Sequence, residues 1–168
     1  MADQPRAMDL QERADRLKEG IYVSFAALAV VLSLGAHEPV DATEALVTLA
    51  VTALGTTLAV FTADVVSHLV AHQRLMTGAE FRHAGRTTLG ATGAVVLPLV
   101  LLAVAALGGW STETALTASA VALLLSLIAF GYLAVRRIRV AWWQRILVLG
   151  GEAALGLIVI ALKLIAHG

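Results

Sequence analysis

The chain contains no cysteine, which excludes a disulfide framework, a thiolate metal site and a thiol nucleophile, and leaves the redox compartment unread. Charge is also scarce. Only 14% of the 168 residues are Asp, Glu, Lys or Arg, against 59% in the hydrophobic set, and the mean hydropathy is +0.84. A soluble domain of this size cannot hide so much apolar surface, so lipid is the expected solvent for most of it. No Gly-rich phosphate loop, nucleophile elbow, HExxH pattern or Ser/His/Asp constellation is present, and no polar segment is long enough to fold by itself. Neither an enzyme nor a nucleic-acid partner is expected. The first twenty residues, MADQPRAMDLQERADRLKEG, lack the basic start and apolar core of a signal peptide. The first apolar run is therefore expected to remain in the mature protein.

What is present is a series of long apolar runs. Crossing the hydrocarbon of a bilayer takes roughly 20 helical residues, and five stretches meet or approach that length: 20–36, 45–70, 89–107, 114–135 and 142–166. All are longer than a barrel strand and none alternates polar with apolar residues. The expected fold class is all-α: a polytopic membrane helical bundle of five transmembrane helices (residues 20–168), preceded by a cytoplasmic amphipathic segment (residues 1–19). Within that segment Leu10, Ala14, Leu17 and Ile21 recur at helical spacing with charges between them. Such a pattern predicts a helix lying on the inner surface before the chain turns into span one.

Eleven of the twelve basic residues fall in the N-terminal segment and the second and fourth connections, while Lys163 stands near the end of span five. The first and third connections carry Glu38, Asp41, Glu44 and Glu113 and no Lys or Arg. Basic residues are retained on the inner side. The expectation is a multi-pass protein of the cell (inner) membrane with a cytoplasmic N-terminus and an extracytoplasmic C-terminus. Arg136, Arg137, Trp142 and Trp143 read as a membrane-interface belt, and the arginines could hold anionic lipid headgroups.

An ionisable side chain inside a span costs at least about 2.5 kcal/mol on insertion scales and calls for an explanation. Asp64 lies ten residues, or about 15 Å, from Arg74 at the basic end of span two, and Glu152 lies seven residues, or about 10 Å, from Arg145 at that end of span five. At about 100° per residue, Thr57, Asp64 and His68 share one stripe of span two, with Ser67 and His72 on its shoulders. The four-residue steps from Asp64 to His68 to His72 are spacings at which side chains meet, and carboxylate with imidazole suits manganese, iron or zinc. Two readings stand side by side: these residues pair with one another or across helices, or they handle ions or protons. Glu152 sits among Gly150, Gly151 and Gly156, small residues that admit a neighbouring helix, and it is either a structural acid or part of a cation pathway. In span three, Pro98 after Gly93 is expected to kink the helix.

The segment Ala63-Asp64-Val65-Val66-Ser67 resembles the Gly-Glu-Tyr-Leu-Ser-like second span of the vacuolar iron transporter family, with Asp64 on the acidic position and Ser67 on the serine. Gly93-Ala94-Val95-Val96-Leu97-Pro98 is similar to that family's Gly-Ala-x-x-Pro-like third span, one residue longer. The resemblance implies a five-span dimeric metal exporter, with small residues and a few acids lining a route near the subunit interface. Two features depart from the family. The stretch Gly20-Ile21-Tyr22-Val23-Ser24-Phe25 has no carboxylate where the family has an Asn-Asp-Gly-like metal motif, and the acidic insert between spans two and three is missing. Glu19, at the inner mouth of span one, is placed to stand in partly for the absent acid, whereas Glu152 has no counterpart in the family.

The functional expectation is a small transporter or channel-like protein moving a cation, a divalent metal such as Mn(II) or Fe(II) or else protons. Asp64, His68, Glu152, Thr57 and Ser67 line its pathway, and Asp64, His68 and His72 are the candidate metal ligands. The alternative is a structural or accessory membrane protein acting through helix packing, oligomerisation or lipid binding. No resident cofactor is expected, a divalent ion being a candidate substrate, and the expected partners are membrane lipids and a second copy in a homodimer.

Overall fold

The computed structural model describes residues 4–36, 40–136, 143, 150 and 151. Every regular element among them is helical: α1 (Gln4–Leu34), α2 (Ala42–His72), α3 (Gly78–Ala91), α4 (Gly93–Ala106) and α5 (Thr112–Arg136). The expected fifth span at 142–166, with Glu152, Gly156, Trp142 and Lys163, lies outside the described residues, as do Arg137 and the side chain of Arg136. Trp143 is exposed, and Gly150 and Gly151 have open space around them among the described residues.

Three stretches are long and apolar enough to cross a membrane: Ala14–Leu34, Ala42–His72 and Thr112–Ala134. The pair α3 and α4 meets the same test only as a broken span, bent by 46° between Gly90 and Gly93. These apolar helices are those of a membrane protein. Their outer faces carry Val47, Val51, Leu54 and Leu58 on α2, Val96 and Val100 on α4, and Val121, Leu125 and Ile128 on α5, all exposed. In water such a surface would be a liability, but in lipid it is the ordinary exterior.

Four of the helices each bury one stripe at three- and four-residue spacing, as an α-helix packed on one side must. The stripes are Val23, Ala27, Leu28 and Val31 on α1; Ala42, Ala45, Leu49 and Ala53 on α2; Val95, Pro98, Leu102 and Ala105 on α4; and Ala115, Leu116, Leu123 and Leu127 on α5. The alanines of α2 let backbones approach, the usual way helices associate where no hydrophobic force draws them together. At Gly20 of α1 a Cβ would stand 2.8 Å from Cζ of Phe130, so this glycine lets the aromatic tip of α5 rest on the α1 backbone.

Local chemistry accounts for the ends and breaks. Asp41 caps α2 by accepting from the Thr43 N–H (2.9 Å). Its carboxyl is thereby held below the ordinary aspartate range, by the Thr43 side chain first and then by the backbone. At the other end Gln73 takes a left-handed conformation (φ 52°), and its N–H returns to the Leu69 carbonyl. Thr77 and Glu80 form a reciprocal capping box that starts α3. Gly108 (φ +83°) and Gly109 close α4, with the Gly109 N–H bonded to the Val104 carbonyl at 2.9 Å.

Two expectations meet a different geometry. The bend in span three falls at Thr92, six residues before Pro98, and α4 continues through the proline. Thr87, Thr88 and Thr92 turn their hydroxyls back to the carbonyls of His83, Ala84 and Leu89. β-Branched residues with back-bonded hydroxyls, set between Gly90 and Gly93, make this the weakest stretch of the helix. Likewise no turn separates a surface helix from span one, for α1 runs unbroken from Gln4 to Leu34. Its buried face is Glu19, Gly20, Val23, Ser24, Ala27 and Leu28, whereas Ala14 is exposed and Leu17 and Ile21 are only half-buried.

Candidate functional site

Where α1, α2 and α3 meet near the basic end, the bundle interior turns polar. Glu19 continues the buried stripe of α1 by one turn before Val23, so the phase that buries valine there buries a carboxylate here. It is 1% exposed, and neither of its oxygens has a hydrogen-bond partner among the described residues. Asp64 of α2 and Thr88 of α3 face it from just outside hydrogen-bond geometry. Thr88 is itself buried, and its hydroxyl donates to the Ala84 carbonyl (3.1 Å). Asp64 is only partly buried, and the Lys18 ammonium stands 3.8 Å from its Oδ1 and 3.6 Å from Asp15. Two acids, a hydroxyl and an ammonium on three helices thus meet at one corner, where Glu19 and Thr88 are buried, Asp64 is partly buried and Lys18 is exposed.

One turn further along α2, His68 is mostly buried, and its Nε2 has no hydrogen-bond partner among the described residues. Its nearest charge is Glu80 of α3, 3.8 Å from Nε2. Glu80 is already engaged: Arg74 donates to both its oxygens at 2.9 and 2.6 Å, and the Thr77 N–H and hydroxyl donate to it as well. These bonds tie the connection between α2 and α3 into one charged clasp. The Arg74 guanidinium is held charged more firmly than usual by that carboxylate.

The stripe drawn on α2 therefore divides. Thr57 is buried, with its hydroxyl bonded to the Ala53 carbonyl at 2.7 Å, and Asp64 and His68 face inward, while Ser67 and His72 are exposed. His72 stacks its ring on His68, centroids 4.3 Å apart, and its Nδ1 lies 3.3 Å from the His68 carbonyl. Asp64, His68 and His72 do not converge, and no group of three His, Asp or Glu side chains able to hold a metal ion forms among the described residues. Gly93 borders the bend, Pro98 lies buried in α4, and Ser119 of α5 donates to the Pro98 carbonyl at 3.5 Å.

The central member of the corner is Glu19, with Lys18 and Thr88 beside it, and spacing on span two alone does not point to them. A signal existed for Glu19: it is in phase with Val23, Ala27 and Val31, so a core stripe extended backward lands on the acid. Ser24, fully buried with an unpartnered hydroxyl among the described residues, lies on the same side of α1. Chemically, a buried carboxyl facing a partly buried one is held there most cheaply by positive charge between or beside them, whether a proton, a metal ion or an ammonium. Comparison of the chain with protein-family models, with curated proteins and with solved structures finds no match.

Proposed function

We propose that the chain is a small membrane transporter or channel-like protein that moves a cation, either protons or a divalent metal, across the cell membrane. In this reading the N-terminus is cytoplasmic and the protein acts as a homodimer. The observation that carries it is Glu19: a carboxylate at 1% exposure with both oxygens unpartnered among the described residues, facing a second carboxylate on another helix. A structural acid is expected to satisfy its oxygens, because an unpaired buried charge destabilises the fold. A site that takes up and releases a cation keeps those oxygens free. Asp64 and His68 extend the polar path along α2 toward Glu80 and the wet end of the bundle. Asp64 also stands on the acidic position of the segment that resembles the vacuolar iron transporters, and Glu19 supplies the acid that span one otherwise lacks.

The test is cation flux in proteoliposomes holding the full chain, read with an internal pH dye and with a dye quenched by Mn(II) or Fe(II). Flux of at least one ion should appear with the native chain and fall to background in Glu19→Gln and in Asp64→Asn, and Glu152→Gln tests the acid of span five. Undiminished flux in both of the first two variants would sink the assignment. Should no variant pass any cation while the same substitutions change thermal stability or oligomeric state, the accessory, packing-based role is the correct one.

A further inference from the structure

We propose, independently of the cation pathway, that the outward face of α3 and the first turns of α4 hold an anionic phospholipid of the leaflet at the basic end of the bundle, its phosphate on Arg82 and Arg86 and its acyl chains along α4.

With 14 residues α3 is too short to cross the hydrocarbon alone, and its two sides differ. Thr87 and Thr88 are buried against the bundle, whereas Arg82 and Arg86, one turn apart, are exposed on the opposite side. Gly90 is the next position on that ridge. It has no side chain, and the Arg16 side chain of α1 lies across it, with Nε 3.6 Å from where a Cβ would stand. Three arginines thus line one ridge at steps of about 6 Å. Neither Arg82 nor Arg86 has a hydrogen-bond or ion-pair partner among the described residues. Acids close in sequence or space are committed elsewhere: Glu80 falls on the other side of α3 and is clasped by Arg74, and Asp15 stands 3.6 Å from Lys18. The chain after α5 brings no counter-charge, for residues 137–151 contain Arg137, Arg139 and Arg145 and no Asp or Glu. An unpaired arginine ridge at the membrane edge fits phosphate, which a guanidinium can hold by two parallel hydrogen bonds. The next part of the face selects a lipid over a soluble phosphate. From Leu89 onward the exposed positions turn aliphatic, and three- and four-residue steps through Gly93 lead to Val96, Leu97 and Val100 on α4. Charge followed by hydrocarbon is the order in which a phospholipid presents its own parts.

The experiment is native mass spectrometry of the full chain offered equal amounts of phosphatidylglycerol and phosphatidylcholine with the same acyl chains. The native protein should retain phosphatidylglycerol in preference, and Arg82→Gln combined with Arg86→Gln should cut that preference at least about tenfold. Arg82→Lys combined with Arg86→Lys keeps the charge but not the fork, and should keep part of the preference. Should the glutamine pair lower the thermal midpoint in neutral detergent, Arg82→Gln alone serves in its place, with a smaller loss expected. Soluble glycerol phosphate should bind far more weakly than the lipid, because it leaves Leu89 and α4 uncovered; equal binding overturns the lipid as occupant. Equal retention of both lipids by the native chain overturns the site, and is the result expected if the ridge pairs with Asp9 and Glu12 of α1. A preference that survives the glutamine substitutions overturns it too. So does a loss in Arg136→Gln as large as in the double variant, which marks general attraction to basic charge.

Discussion

The two ends of the bundle are packed on opposite principles. Toward the acidic connections, Val31, Leu49, Leu102, Ala105, Ala115 and Leu116 interlock in an apolar core. Toward the basic end, the same helical phases deliver Glu19, Ser24, Thr88, Asp64 and His68 to the interior, several with unpartnered polar atoms among the described residues. Since lipid gives helices no hydrophobic reason to associate, the apolar end holds the bundle by close contact alone. The polar end buries groups that add nothing to that close packing. The contrast teaches that stability and chemistry are carried by different turns of the same helices, so they should be separable by substitution.

The sharpest way to break that division is Glu19→Leu, which extends the apolar core into the polar end. Cation flux should vanish while the thermal midpoint holds or rises, because replacing a buried unpaired acid by an apolar side chain removes a desolvation penalty. A fall in the midpoint would mean that Glu19 is structural. The converse substitution, Leu49→Ala in the apolar end, should cost about 2 kcal/mol of stability through the cavity it opens, measured by denaturant titration in detergent, with flux per folded molecule unchanged. Gly20→Leu, at the boundary between the two ends, should cost about 1 kcal/mol by driving a side chain into Phe130. The same change should weaken flux by displacing Glu19. The smallest effect belongs to Asp41→Asn, which tests the cap alone. Because the Asp41 carboxyl is held below its unfolded value, its contribution is present above the unfolded value and lost as pH falls through the folded one. The native midpoint should therefore drop toward acid slightly more steeply than that of the variant.

Much of the apolar end was legible in the sequence, because run length and three- and four-residue periodicity are local properties. The helical class, the membrane-length stretches of α1, α2 and α5, and the inward stripe of Thr57, Asp64 and His68 follow from such counting. The polar end was harder for two physical reasons. Lys18 and Glu19 are continuous with a charged N-terminal segment and read as part of it, since composition does not say where a helix enters the bundle. What makes Glu19 distinctive is its proximity to Asp64 and Thr88, residues far along the chain, and only packing brings them together. The bend of the third span illustrates another limit. Pro98 is the obvious breaker, yet the break falls among Thr92 and its flanking glycines, where several weak preferences add up within one turn.

The buried position of Glu19 also bears on how the protein is made. Span one leaves the ribosome before the partners that enclose Glu19, which come from α2, α3 and α5. Until they exist, the helix must enter the bilayer with a carboxylate at the point where its hydrocarbon contact begins. The exposed Lys18 ammonium beside it favours the headgroup edge. Enclosure of Glu19 is then an event of assembly, completed only when α5 arrives, so truncation after α2 should leave span one shallower in the membrane than it sits in the finished protein.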